Sequence, residues 1–281
     1  MKTKKLKVNL FIGFAAIVLC ILAAVVLFFP KDTPSTQDKN KDKNIVKLQF
    51  SDGRSDVLGV KKVNDVLHSI GVRVSTLPIP EEAKPILKAS QTRAINEEEQ
   101  SKLISIFNLN RADLLEQIRL AGRTPEVKGG GDFTTEVGLP SYPKIYDMKA
   151  MAPEVQSSVL NKYGRLHVNS SDNGTGIDEV MTVVTGGPFT WMFVLPDGVV
   201  ARLTVDKVEL DDQAVRLSYP GLGMHAGYMD PKQGLIVAFA HGPKNFKVRF
   251  EGSDVKHAEL LNTNPWVDFS GDTPKLHEKV K

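Results

Sequence analysis

An uncharged, almost wholly apolar run at residues 8–29 constrains this chain more than any other feature. As a helix rising about 1.5 Å per residue it extends about 33 Å, against a hydrocarbon core of about 30 Å. The run outlasts the apolar core of a secretory signal, about 7–15 residues. It closes on Leu27-Phe28-Phe29-Pro30 rather than a small-x-small cleavage site, and Cys20 lies deep in apolar chain, a poor context for lipid attachment. The expectation is an uncleaved transmembrane anchor at residues 8–29 behind a cytoplasmic stub at 1–7. Lys2, Lys4, Lys5 and Lys7 crowd the front of the run, while Lys31, Lys39, Lys41 and Lys43 are spread out behind it among acids. The dense cluster marks the cytoplasmic side. The large C-terminal part is therefore expected outside, as in a single-pass protein of a bacterial inner membrane facing the periplasm.

Residues 30–44 hold no apolar side chain larger than proline and read as a disordered linker, reaching about 20 Å on average. Beyond it, composition bounds the possibilities. A hydrophobic content of 41% with 25% charged residues suffices to bury a core. The net charge of +3 is small and its basic residues are dispersed, so no nucleic acid is expected as a partner. Cys20 is the sole cysteine, which excludes a disulfide, a thiolate nucleophile or a cysteine-held metal downstream.

The pattern predicts an α+β chain of two textures. Residues 45–128 read as a small α/β helical subdomain. Residues 46–50 alternate like a strand, and residues 60–70 carry apolar side chains at helical spacing before Gly71. Pro80-Glu81-Glu82 opens another helix. Asn96 with Glu99 and Asn110 with Asp113 begin two more as capping boxes. The last pair, with Arg111, Arg119 and Arg123 nearby, has the outline of a helix-turn-helix, but a helical hairpin packed on its neighbours is the reading favoured. Gly129-Gly130-Gly131 is a flexible joint, since no Lys-Ser/Thr follows to make a phosphate loop.

Residues 132–252 change to short strands with regular punctuation, expected at 165–169, 179–185, 189–195, 199–207, 214–219, 235–240 and 246–250. Gly186-Gly187-Pro188, Pro196-Asp197-Gly198 and Gly242-Pro243 supply turns between them. That spacing predicts an antiparallel sandwich or barrel. Residues 253–281 read as a polar, mobile tail with one docked segment.

Within the β region, Gly164, His167, Glu179 and Gly186 stand in order, with the last glycine seven residues past the glutamate. Then Tyr219-Pro220-Gly221-Leu222-Gly223-Met224-His225 places a histidine after a proline-glycine turn. The two clusters resemble the paired motifs of the cupin superfamily, a glycine, His-x-His, glutamate and glycine followed by a proline-glycine turn and histidine. The resemblance spans residues of about 160–250. Asn169 stands where the second histidine belongs, residues 170–177 are extra, and no asparagine follows His225 at the usual place. The resemblance implies a jelly-roll barrel with His167, Glu179 and His225 as ligands of a divalent metal, iron, manganese, nickel or zinc. Two imidazoles and a carboxylate suit a facial triad with open positions. The second ring nitrogens need outer partners, for which Asn169, Tyr219, Tyr228 and Thr182 are candidates, and His241 is placed to join the cluster as a ligand-binding residue. Met181 and Val183 are expected on the wall of Glu179, and Val180 and Thr182 on the opposite face.

The function expected is a membrane-anchored, extracytoplasmic cupin-like protein that binds a small polar ligand at a divalent metal. The alternative is a non-catalytic envelope interaction or assembly module with a vestigial barrel, in which His167 and Glu179 are a hydrogen-bonded pair and His225 caps a turn. No residue is assigned a catalytic role, and whether the chain is an enzyme stays open.

Overall fold

The computed structural model describes residues 45–125, 142–229, 234–278 and 280. In chain order the elements are β1 (Val46–Phe50), β2 (Val57–Leu58), α1 (Val60–Leu67), β3 (Arg73–Pro78), α2 (Lys84–Ser90), α3 (Glu97–Ile106), α4 (Arg111–Leu120), β4 (Lys144–Tyr146) and α5 (Pro153–Tyr163). They continue with β5 (Val168–Ser170), β6 (Asp178–Thr185), β7 (Phe189–Val194), β8 (Val200–Val205), β9 (Gln213–Pro220), β10 (His225–Met229), β11 (Leu235–His241), β12 (Lys247–Arg249), β13 (Val267–Asp268) and β14 (Lys275–Leu276).

Two five-stranded antiparallel sheets carry the fold, in the orders β10-β7-β8-β1-β2 and β3-β9-β6-β11-β4. They face each other because both present apolar side chains at alternate positions, the period of a strand. Phe189, Trp191 and Phe193 of β7 and Leu203 and Val205 of β8 meet Met181, Val183, Leu217 and Ile236 of the second sheet in one core. The outer face of that second sheet is covered by helices, so β6 is buried almost from end to end. Arg216 Nε donates to Thr182 Oγ1 at 3.0 Å, and Ser218 Oγ donates to the Gln117 carbonyl of α4 at 3.3 Å, on this outer side.

The capping boxes expected at Asn96/Glu99 and Asn110/Asp113 are formed at the starts of α3 and α4. Of the helices they open, α3 packs against β4, and α4 packs against β6, β9 and β11. Elsewhere the fold class needs correction. Residues 45–125 are not a separate subdomain. β1 pairs with β8 from Val46↔Val205 to Phe50↔Ala201, and β3 pairs with β9 from Arg73↔Ser218 to Pro78↔Gln213. The early strands thus complete both sheets, and the described residues form one unit. The membrane part of the fold class is also corrected. Among the described residues no helix is long and apolar enough to cross a membrane. The run at residues 8–29, the linker before residue 45 and the Gly129–131 joint lie outside the described residues. The single-pass, extracytoplasmic placement therefore finds no support.

The end of the chain is docked over its described length. Leu261, Trp266 and Val267 pack with Leu166, Val168, Met192, Val200 and Ala226 in a second core on the outer side of the first sheet. Trp266 Nε1 donates to the Val200 carbonyl at 3.2 Å, and Arg202 Nη1 donates to the His277 carbonyl at 2.6 Å. An indole with a low-entropy side chain and one buried donor is well suited to this role.

Two outcomes follow from this packing. A fragment beginning at residue 142 lacks β1 and β3 and should show no cooperative urea transition, whereas residues 45–281 should. Trp266→Ala removes a buried indole and should cost about 3–5 kcal/mol, read as a lowered denaturation midpoint. A midpoint within error of wild type would mean that the tail is not part of the folded unit.

Candidate metal and ligand site

His167 and His225 are brought together by the backbone. His167 N–H donates to the His225 carbonyl at 2.9 Å and His225 N–H to the His167 carbonyl at 3.0 Å, an isolated antiparallel bridge. Residues directly opposite in such a bridge project on the same side. The imidazole centroids accordingly lie 4.5 Å apart. Each ring is then fixed by its own strand. His167 Nδ1 lies 2.7 Å from the Arg165 carbonyl, and His225 Nδ1 lies 2.7 Å from the Gly223 carbonyl. A carbonyl accepts but does not donate, so both Nδ1 atoms carry hydrogen, and in the neutral rings both Nε2 atoms hold a lone pair.

The turn before His225 needs its glycine. A Cβ on Gly221 would stand 2.8 Å from the Asn169 and Ile177 carbonyl oxygens, too close for any side chain. Gly186, at the far end of β6, takes φ +75°, where glycine avoids the cost an L side chain bears.

Glu179 enters from β6, opposite Tyr219 on β9. Its Oε2 lies 3.4 Å from His225 Nε2. Tyr142 Oη donates to Oε1 at 2.8 Å, and Asn169 Nδ2 donates to Oε2 at 2.9 Å. The same Asn169 Nδ2 lies 3.3 Å from His225 Nε2. Burial works to raise Glu179, but contact with His225 in its protonated form and the bonds from Tyr142 and Asn169 outweigh it, holding the carboxyl below its ordinary range. Glu179 is therefore an ionised carboxylate at neutral pH. Burial, reinforced by the charge on Glu179, pushes Tyr142 and Tyr219 well above the ordinary tyrosine range, so both remain donors.

These groups surround a cavity of about 50 Å³ inside the barrel. His167, Asn169, Glu179, Tyr219 and His225 line it, with Met181 on the wall of Glu179 as alternation predicts. The rest of the wall is aromatic and apolar, from Tyr142, Tyr146, Tyr163, Trp191, Ile236 and Phe246, with Gly227 and Met229 of β10. Sequence reasoning missed these tyrosines and Trp191. Tyr146 and Trp191 were visible only as aromatic side chains on strands not yet paired, while Tyr142 precedes β4 and Tyr163 closes α5.

Two expected members are elsewhere. Tyr228 falls between Gly227 and Met229, so it faces outward, and its Oη donates to the Pro274 carbonyl at 3.0 Å. His241 pairs with Asp178, not with Glu179, whose partner across the ladder is Ala240. One step along a strand reverses the face, and His241 lines a different cleft with Arg123 and Asp178. Thr182 is likewise outside the cavity, bonded to Arg216.

Lys144 was not anticipated. It is 2% exposed, shares a strand face with Tyr146, and faces Ala238 across the ladder. Its Nζ lies 4.1 Å from the centroid of the Tyr142 ring and 4.9 Å from that of Tyr146. Among the described residues it has no hydrogen-bond acceptor. Burial pushes this amine down to about 8, and the charge on Glu179 acts in the opposite sense. Two π-faces in a low-dielectric interior are its compensation.

The donor set fits a divalent ion in kind. Two ligands each about 2.0–2.2 Å from one ion at a tetrahedral angle stand about 3.4 Å apart, which is the His225–Glu179 separation. As the side chains stand, no group of three or more histidine, cysteine or acidic side chains among the described residues is arranged to hold an ion. The amide nitrogen of Asn169 stands beside that pair, 2.9 Å from Glu179 Oε2 and 3.3 Å from His225 Nε2.

The two-sheet antiparallel barrel, with the motif histidines and the motif glutamate facing one cavity from opposite walls, resembles the cupin superfamily. No protein-family model matches the chain, and no curated protein matches it in sequence. Among solved structures, it is similar to an acireductone dioxygenase from Bacillus anthracis with a cadmium ion in its active centre, at 13% identity and a TM-score of 0.48. That likeness covers 72% of this chain and 95% of the dioxygenase. At that score it bears on neither the ligands nor the chemistry of this chain.

The metal-free site has a pH signature. Burial, and then the neighbouring His225, push His167 down to about 3. An unfolded histidine titrates near 6.5, so between these values the unfolded chain binds a proton that the folded chain refuses. Folding stability then rises with pH across this window and falls as pH drops from about 6.5 toward 3, by about 1.4 kcal/mol per unit for one proton. Urea melts from pH 6.5 to 4 should show this slope in the wild type and lose about one proton's share of it in His167→Asn. An unchanged slope in the variant would mean that His167 is not buried as a neutral ring.

Proposed function

We propose that the barrel interior binds one divalent metal through His167, His225 and Glu179, and beside it a ligand of a few heavy atoms. The observation that carries this reading is the anchoring of both imidazoles by Nδ1 to backbone carbonyls, at 2.7 Å each, with an ionised carboxylate 3.4 Å from one Nε2. Rings held this way have their tautomer fixed for ligation through Nε2, which is the usual second-shell arrangement of metal-binding histidines. Two nitrogens and one carboxylate oxygen suit iron, manganese, nickel or zinc.

A divalent ion in this cavity would supply Lewis-acid polarisation of a bound oxygen and open coordination positions. The chain's own residues do the rest. Tyr142 holds Glu179 by Oε1, and Tyr146 and Tyr219 offer hydroxyls to a ligand. The aromatic wall excludes bulk water, and the Lys144 ammonium favours a ligand with negative charge. A small polar acid is the ligand class this interior suits.

Metal-stripped protein dialysed separately against zinc, manganese, iron(II) and nickel should retain close to one equivalent of at least one ion by elemental analysis. His225→Ala should hold less than about a tenth of that, with an unchanged far-UV circular dichroism spectrum. A specific observation favours a second reading, a vestigial metal-free barrel, because the Asn169 amide already serves both Glu179 and His225 without an ion. Wild-type protein that retains none of the four ions would decide for it.

A further inference from the structure

We infer that Asn169 is a metal ligand of this barrel through its side-chain oxygen, and that the same amide latches the site by its NH2 group when no ion is present. The inference rests on the metal reading above and concerns a residue that stands where cupin motifs carry a histidine. Asn169 is 3% exposed, and its Nδ2 serves two acceptors, Glu179 Oε2 at 2.9 Å and His225 Nε2 at 3.3 Å. Its Oδ1 is buried and, among the described residues, receives no hydrogen bond.

The orientation of the amide is decided by its neighbours. Turned the other way in the metal-free barrel, Oδ1 would press on a carboxylate oxygen and an imidazole lone pair, acceptor against acceptor. A cation between Glu179 and His225 reverses that preference. The NH2 group is then repelled, and the amide oxygen becomes a neutral ligand of the kind divalent ions accept. A half-turn about the terminal side-chain torsion suffices, because that torsion has two broad, nearly equivalent settings. The backbone need not move: Asn169 N–H donates to the Gly221 carbonyl at 2.7 Å, and the residue pairs with Val248 of β12. The unpartnered oxygen of the metal-free barrel is thereby the group that the ion satisfies.

Asn169→Asp separates ligation from a purely structural role. Aspartate is nearly isosteric, loses the latch and sets a second carboxylate against Glu179. The metal-free variant should therefore unfold at lower urea concentration than wild type. Its anionic oxygen should raise zinc affinity at least tenfold in chelator competition at pH 7.5. Asn169→His, restoring the second histidine of the motif, should also bind zinc more tightly, and Asn169→Leu more weakly. In 15N-labelled wild-type protein, the Asn169 side-chain NH2 resonances should shift on zinc titration in step with metal uptake. If Asn169 only braces Glu179, Asp and Leu should both weaken zinc binding, which would overturn the inference and leave the metal reading standing. Static NH2 resonances during stoichiometric uptake would overturn it in the same way. Uptake by Asn169→Asp or Asn169→His but not by wild type would refute both ligation by the native amide and the metal reading for the native chain. Absence of uptake by all four proteins would end both.

Discussion

The exchange of two backbone hydrogen bonds between His167 and His225, at 2.9 and 3.0 Å, is the constraint from which the site follows. It closes the turn after β9 against the segment leaving α5, and it fixes parity on both sides. From His225 the inward positions of β10 are Gly227 and Met229, and from His167 the next inward residue is Asn169. On the facing sheet, pairing of Glu179 with Tyr219 sets the second wall. A one-residue slip in either register would carry the polar groups out of the cavity and replace them with Val168, Val180 or Ala226. The neighbouring core side chains resist such a slip, since every inward position of β6 and β7 is already packed.

A charged interior is what this constraint maintains at a cost. Glu179 and Lys144 are both withdrawn from water, and neither would be tolerated alone. The carboxylate is satisfied by short hydrogen bonds, the ammonium by two aromatic faces, and the pair by mutual attraction through Tyr142. The tyrosines are well suited to this arrangement. Their rings face the cation, and the Tyr142 hydroxyl meets the anion, so one side chain serves charges of both signs. A phenylalanine at residue 142 would keep the cation–π contact and leave Glu179 one donor short.

Much of this was legible in the sequence, and the failures have identifiable causes. The spacing from Glu179 to Gly186 is readable because it spans one strand and its terminal turn, a local length that tertiary contacts do not alter. The capping boxes at Asn96 and Asn110 are equally local. β10 was overlooked because His-Ala-Gly-Tyr-Met contains no β-branched residue and includes a glycine, so its strand state comes from pairing with β7 rather than from propensity. α5 was overlooked because residues 153–163 carry few apolar side chains and bury chiefly Val159 and Leu160. The separate helical subdomain was a plausible reading of texture, but texture does not report that β1 and β3 find partners more than a hundred residues away. His241 and Tyr228 were misassigned for one reason: parity across a ladder depends on register, and register is invisible until strands are paired.

On the proposed metal reading, metal-free stability and metal binding make competing demands on the same few atoms. The bonds that keep Glu179 ionised in the buried interior come partly from Asn169, and an ion ligated by the amide oxygen as proposed would replace them. Each such bond contributes about 1 kcal/mol net, and somewhat more to a charged acceptor. Losing the two Asn169 bonds would therefore lower metal affinity by one to two orders of magnitude relative to an open site with the same ligands. A histidine at residue 169 would impose less of this cost, because an imidazole can ligate without first releasing an amide from Glu179. On that reading the asparagine would exchange affinity for a barrel whose carboxylate is satisfied with or without metal. That exchange favours a chain that must fold and persist before any ion is bound.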